Sequence, residues 1–168
     1  MRIAMIVYIV RHARAGQYGD PAWPDDDQRP LTDEGAERFT RVVEALGRRG
    51  FAPEVVATSP LVRCRQTAEI VAGGVPGRPE VVELDALEPG SDLAGLIDWT
   101  AQQADRYRQV AWVGHAPDVG RLTALLIGAA EGGIRFAKGA VAAIDFEDLP
   151  RRNEGELRWL VTAKMLDL

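Results

Sequence analysis

Cysteine is nearly missing from this chain of 168 residues, with Cys64 standing alone. One thiol can neither close an internal disulfide nor supply a zinc cage, and its rarity fits a reducing compartment, the cytoplasm. Lysine is almost as scarce: of 20 basic side chains only Lys138 and Lys164 are lysines, and the rest are arginines. With the many alanines and glycines, that bias points to a GC-rich bacterial genome. No apolar run approaches the roughly 20 residues needed to cross a bilayer. The start, "IAMIVYIV" followed by "ARA", imitates a short signal peptide. However, Arg11, His12 and Arg14 fall where a cleavage region is neutral, and Arg2 alone serves as a basic n-region. A buried first strand is the expected reading, and Met5 can begin it as well as Met1. A net charge of -5 excludes a general affinity for nucleic acid or anionic membrane, so any gathering of basic residues is a local feature. Without repeats, linkers or low-complexity segments, the chain reads as one domain over 1–168, long enough to bury a core.

What is present alternates between two periodicities. Residues 3–10 form a near-continuous apolar run, the pattern of a strand covered on both faces. After a Gly/Pro/Asp-rich loop (14–31), Thr32 can cap a helix with Asp33 and Glu34 in its first turn and Gly50 beyond its end. "EVVAT" (54–58) reads as a strand, and Ser59-Pro60 as N-cap and first residue of a helix to about Val71. "PEVVEL" (79–84) predicts a strand, 91–104 a helix, and "QVAWVG" (109–114) a buried strand. Pro117 opens a helix through Ile127, and 139–146 with 156–163 read as a terminal strand pair. This order predicts an α/β three-layer sandwich: a mostly parallel sheet with helices on both faces.

Three positions fall just past strands. His12 follows the first, "TSP" the second, and His115 follows "VAWVG". The carboxyl ends of strands in an open α/β sheet line the binding crevice, so these residues can meet. Arg63 falls in the first turn of its helix, and His115 with the N–H of Ala116 at the mouth of the next, where free N–H groups suit a phosphate. Arg11, His12 and Arg14 crowd within four positions without an acid, which calls for a negative partner. Arginine's fork can hold two phosphate oxygens, so Arg11, Arg63, His12 and His115 are expected to cage one phosphoryl group. Neutral imidazole is a nucleophile toward phosphorus, and neighbouring cations should keep His12 neutral. A metal on the two histidines is disfavoured, because no acid accompanies them and the arginines repel a cation. Cys64 reads as a small buried hydrophobe, Asp25-Asp26-Asp27 as a solvated loop, and Trp23 as the only tryptophan placed to touch a substrate at a rim.

On these residues the sequence resembles the histidine phosphatase superfamily, the phosphoglycerate-mutase-like fold. Arg11-His12-Ala13 matches its "RHG" signature, "SPLVRCRQT" its second arginine motif, and Gly114-His115 its second histidine. The resemblance implies a nucleophile at His12, phosphate ligands at Arg11, Arg63 and His115, and neither metal nor organic cofactor. "RPLTDEG" (29–35) and "FAKGAVAAIDF" resemble the small bacterial phosphohistidine phosphatases of the SixA type, placing Arg29 at the site edge. Ala13 stands where the family carries glycine, and Arg14 where many members carry an acid. No general acid is evident, with Asp85, Glu88 and Asp26 as candidates. A missing acid suits a phosphohistidine, whose imidazole leaves more easily than an alkoxide. The implied substrate is thus a phosphorylated signalling protein. The alternatives are a small phosphoester, such as a sugar phosphate or nucleotide, and a phospho-ligand binding module without turnover.

Overall fold

The computed structural model of the chain describes residues 4–168. The expected strand over 3–10 is β1, Met5–Arg11; Ile3, like Arg2 and Met1, lies outside the described residues. There follow α1 (Asp33–Gly47), β2 (Val55–Thr58), α2 (Val62–Gly74), β3 (Glu80–Glu83), α3 (Leu93–Gln103), β4 (Gln109–Gly114), α4 (Asp118–Ile127), β5 (Val141–Phe146) and β6 (Glu156–Val161). The strands form one sheet in the order β3-β2-β4-β1-β5-β6. Its first four strands are parallel, while β5 pairs antiparallel with both β1 and β6. The sheet is therefore mixed, with three parallel pairings and two antiparallel ones supplied by the terminal strands.

The run "MIVYIV" is almost wholly buried because successive side chains serve opposite layers. Met5, Val7 and Ile9 join Leu96, Leu122 and Leu126 of α3 and α4 on one face. Tyr8 and Val10 join Phe39, Val43, Cys64 and Val71 of α1 and α2 on the other. β4 repeats the division, with Val110 and Trp112 on the first face and Ala111 and Val113 on the second. The one polar atom of fully buried Trp112 is satisfied, its indole N–H donating to Thr100 Oγ1 at 3.1 Å. Among the described residues no helix is long and apolar enough to cross a membrane.

Three helix starts differ from the sequence expectation, α3 among them, which begins at Leu93 and not at 91. α2 begins at Val62 with Leu61 as its cap residue, two positions beyond the expected start. Ser59 Oγ still accepts the Leu61 N–H at 3.3 Å, but as a turn ahead of the helix. Pro117 precedes α4 as its cap residue instead of forming its first turn, after a cis bond from Ala116. Thr32 caps α1 as expected, accepting the Gly35 N–H at 2.9 Å. Gly35 itself is required: a Cβ there would stand 2.3 Å from the Arg14 carbonyl, so only glycine lets α1 close on the chain leaving β1.

Candidate active site

The sheet order places β2, β4 and β1 side by side and parallel, so their carboxyl ends deliver Ser59, His115 and His12 to one spot. The His12 and His115 ring centroids are 5.6 Å apart. Backbone bonds anchor this edge: the His12 N–H donates to the Gly114 carbonyl at 3.1 Å, and the Ser59 N–H to Val113 at 3.0 Å. The His12 carbonyl accepts from Gly139, whose φ of +74° lets the chain turn into β5.

His12 is buried, with Nδ1 2.7 Å from the Ala13 carbonyl. That oxygen can only accept, so Nδ1 carries the proton and Nε2 keeps its lone pair. The Ala13 N–H donates to Thr67 Oγ1 at 3.0 Å, and Thr67 donates to the Arg63 carbonyl at 2.7 Å. α2 thereby holds the turn after His12 and Arg63 in one frame. Ala13 fits where the family has glycine because its backbone needs no left-handed conformation; among the described non-glycine residues only Arg78, Asn153 and Asp167 have positive φ.

His115 Nε2 lies 2.8 Å from Ser59 Oγ and 3.4 Å from Cys64 Sγ. Burial pushes the Cys64 thiol up to about 12, so it is a neutral, apolar neighbour despite Arg63 beside it. Burial also lowers both imidazoles, His12 to about 3 and His115 to about 4. His12 is lowered further by His115, Arg63 and Arg11, and His115 by Arg63, with Asp118 and Asp26 acting the other way. Both rings are therefore neutral at pH 7.

Arg63 is buried, and its guanidinium donates to the Asp26 carbonyl at 2.9 Å and pairs with Asp26 Oδ2 at 3.3 Å. Arg11 donates to the Phe136 carbonyl at 2.8 Å. Each arginine also carries a buried Nε–H with no acceptor among the described residues. An unsatisfied buried donor costs about 1–3 kcal/mol, more when charged, so two in one site are unlike the rest of the molecule.

The remaining expected residues are placed less simply. Arg29 hydrogen-bonds to neither histidine, donating to Asp26 Oδ1 at 2.7 Å and to the Gly16 carbonyl at 3.0 Å, although its charge also helps to lower His115. Ala116 is exposed beside His115. The acidic run is no mere solvated loop: Asp25 caps a 3-10 turn over Asp26–Gln28, and Asp26 bridges Arg29 and Arg63. The Arg29 hydrogen bond, with Arg63, holds the Asp26 carboxyl below its ordinary range, which suits an orienting carboxylate and not a proton donor. Asp85 and Glu88 are exposed at and beyond a 3-10 turn, and hydrogen-bond to neither histidine nor arginine of the cluster. Trp23 packs over Gly16, its indole N–H held by the Gln17 carbonyl. Ser59 and Thr67 went unread as site residues, although both lie inside the quoted second motif. Asp118 was missed too; it accepts the Gly90 N–H at 2.7 Å and so ties the 85–91 segment to α4, a long-range contact without sequence signal.

Comparison with known proteins agrees with this architecture. Residues 7–163 match the model of the histidine phosphatase superfamily, branch 1. An uncharacterized protein of Picosynechococcus sp. is 37% identical over 118 residues, 69% of each chain. The protein histidine phosphatase SixA, solved with tungstate, superposes with a TM-score of 0.82 at 27% identity, covering 96% of this chain and 99% of the other. The α-ribazole phosphatase of Shigella flexneri shares the fold at a TM-score of 0.67 and 17% identity, over 95% and 97% of the two chains. The chain belongs to the histidine phosphatase superfamily. Within it the protein is a SixA-like phosphatase, a hydrolase of phosphorylated groups.

Proposed function

We propose that the protein hydrolyses phosphohistidine on a protein substrate through a covalent intermediate on His12. The observation carrying this reading is the state of His12: a buried neutral imidazole with Nδ1–H tied to the Ala13 carbonyl, leaving Nε2 as the nucleophile. Nε2 attacks phosphorus as the substrate's N–P bond breaks, and the departing imidazole takes a proton from solvent. Water then attacks phospho-His12, releasing inorganic phosphate and restoring the ring. Arg11 and Arg63, with their unpaired Nε–H groups, would carry the equatorial charge, where most catalysis of phosphoryl transfer resides. His115 is neutral in the free protein, but an incoming dianion favours its protonated form and turns it into a donor. Among the described residues no carboxyl group hydrogen-bonds to either histidine, which supports a substrate whose leaving group is easily expelled.

The test is phosphate release at neutral pH in EDTA, from a phosphohistidine protein and from an aryl phosphate, by wild type and His12→Ala. Release from both substrates by the wild type, lost by at least about 1,000-fold in the variant, is the expected result. Release surviving in His12→Ala overturns the nucleophile assignment. Phosphate bound without turnover of either substrate favours the binding module instead.

A further inference from the structure

The phosphoryl cage accounts for Arg11 and Arg63 but not for the other cations gathered beside it. On the α1 side of Arg11 lies a cavity of about 410 Å³, lined by Arg11, Arg14, Arg38, Arg135 and Lys138. Phe39, Val42 and Ala163 give it an apolar floor. Glu34 is the single acid of the lining, and its carboxylate is highly exposed and 4.0 Å from Arg14, too loose a pair to neutralise the group. Arg38 donates to the Leu168 main-chain oxygen, which leaves Arg14, Arg135 and Lys138 as exposed cations around one opening. Lys138 shows the crowding: its ammonium is held below the ordinary lysine value by partial burial, and further by Arg11, Arg14 and Arg29. On a chain of net charge -5, a cluster of this sign held against self-repulsion marks where an anionic partner rests.

We infer that this cavity is a docking site for an acidic polypeptide segment flanking the phosphorylated histidine, an inference that rests on the phosphohistidine reading above. Arg11 lines both the cavity and the phosphoryl site, so the occupant is continuous with the group being transferred. A second hollow of about 490 Å³, sharing Arg11 and Arg135, opens on the α4 side. A chain can therefore lie across the Arg11–Arg135 ridge with one flank in each hollow. The α4 side is less basic, since Arg121 is already bound to the Gly90 and Ser91 carbonyls and Glu131 stands nearby. The acidic flank thus belongs on the α1 side, its carboxylates toward Arg14, Arg135 and Lys138.

The experiment compares two phosphohistidine peptides of equal length, one with Asp, Glu and Leu in a flank and one with Asn, Gln and Leu there. Each is offered to wild type and to Arg14→Gln/Lys138→Gln, with an aryl phosphate as the measure of basal turnover and circular dichroism as the check on folding. Wild type should prefer the acidic peptide by about tenfold in kcat/KM at low salt, with the preference shrinking as salt rises. The double variant should treat the peptides within about twofold and hydrolyse the aryl phosphate at the wild-type rate. Equal rates on both peptides in wild type, or a preference that survives in the variant, overturn the docking site. A small phosphate ester with a second carboxylate that outruns the acidic peptide and depends equally on Arg14 and Lys138 overturns it too, assigning the cavity to a metabolite. Aryl phosphate hydrolysed with neither peptide touched removes the phosphohistidine reading itself, and this inference with it.

Discussion

The two ends of the same parallel strands treat their polar groups in opposite ways. At the amino end of β4, Glu54 Oε2 accepts the N–H groups of Arg108 and Gln109 at 2.6 and 2.9 Å, and Tyr8 donates to Gln109 Oε1 at 2.6 Å. Polar groups there pair with one another. At the carboxyl end, two buried histidines are kept neutral and two arginines retain buried Nε–H donors without acceptors. The first arrangement stabilises the fold, whereas the second leaves buried charged donors unsatisfied, a cost that the proposed function would explain by a phosphoryl group. Net charge conceals this difference, because acids elsewhere outnumber the cations at the site.

The comparison can be broken most severely at Arg63. Arg63→Ala should lower kcat/KM by about 100-fold or more, the scale of losing a donor to developing transition-state charge, while leaving thermal stability nearly unchanged. Steady-state kinetics beside a melting curve checks both halves. A large loss of stability with modest loss of rate would make Arg63 a structural residue like Glu54.

Acid should expose the same contrast thermodynamically. Both histidines have folded values, about 3 and about 4, below the unfolded 6.5. In that window the unfolded chain binds more protons, so stability is full above about pH 6.5 and falls as pH drops toward 4. His12 alone should contribute a loss on the order of 3 kcal/mol at pH 4. Urea unfolding at pH 7, 5 and 4 measures it, and His12→Gln should flatten the slope.

Smaller effects sharpen the boundary between the two ends. Ser59→Ala removes the hydroxyl 2.8 Å from His115 Nε2 and should lower kcat by about tenfold, with Ser59→Thr restoring part of it. If kcat stays at the wild-type value, Ser59 does not orient His115. Glu54→Ala, at the other end, should cost about 1–2 kcal/mol in denaturant unfolding without altering kcat. Altered catalysis in that variant would mean that the two ends are not independent.

Much of this was legible in the residues themselves. Buried strands such as "MIVYIV" and "VAWVG" announce their burial by lacking polar positions, and Thr32 with its acidic first turn marks α1, because strand pairing and capping are local patterns. His12 and His115 could be picked out because each sits just past a strand, with Arg11 at the end of one and Arg63 in the first turn of the helix after another. The rest required the fold. Whether Asp26 is a solvent-facing acid or a bridge to Arg63 depends on where its loop comes to rest against α2, 37 residues further along the chain. Ser59 reads as a helix cap, and its place beside His115 emerges only when β2 and β4 are seen side by side. Arg14 already stood out beside Arg11 and His12, but Lys138 is an ordinary surface charge in the sequence, and the two join one basic cavity only when α1 closes over Gly35 and the chain turns at Gly139. Local chemistry is written along the chain. Proximity between distant side chains, and with it the neutrality of the two histidines, arises only from packing, because desolvation and field depend on neighbours that no local pattern records.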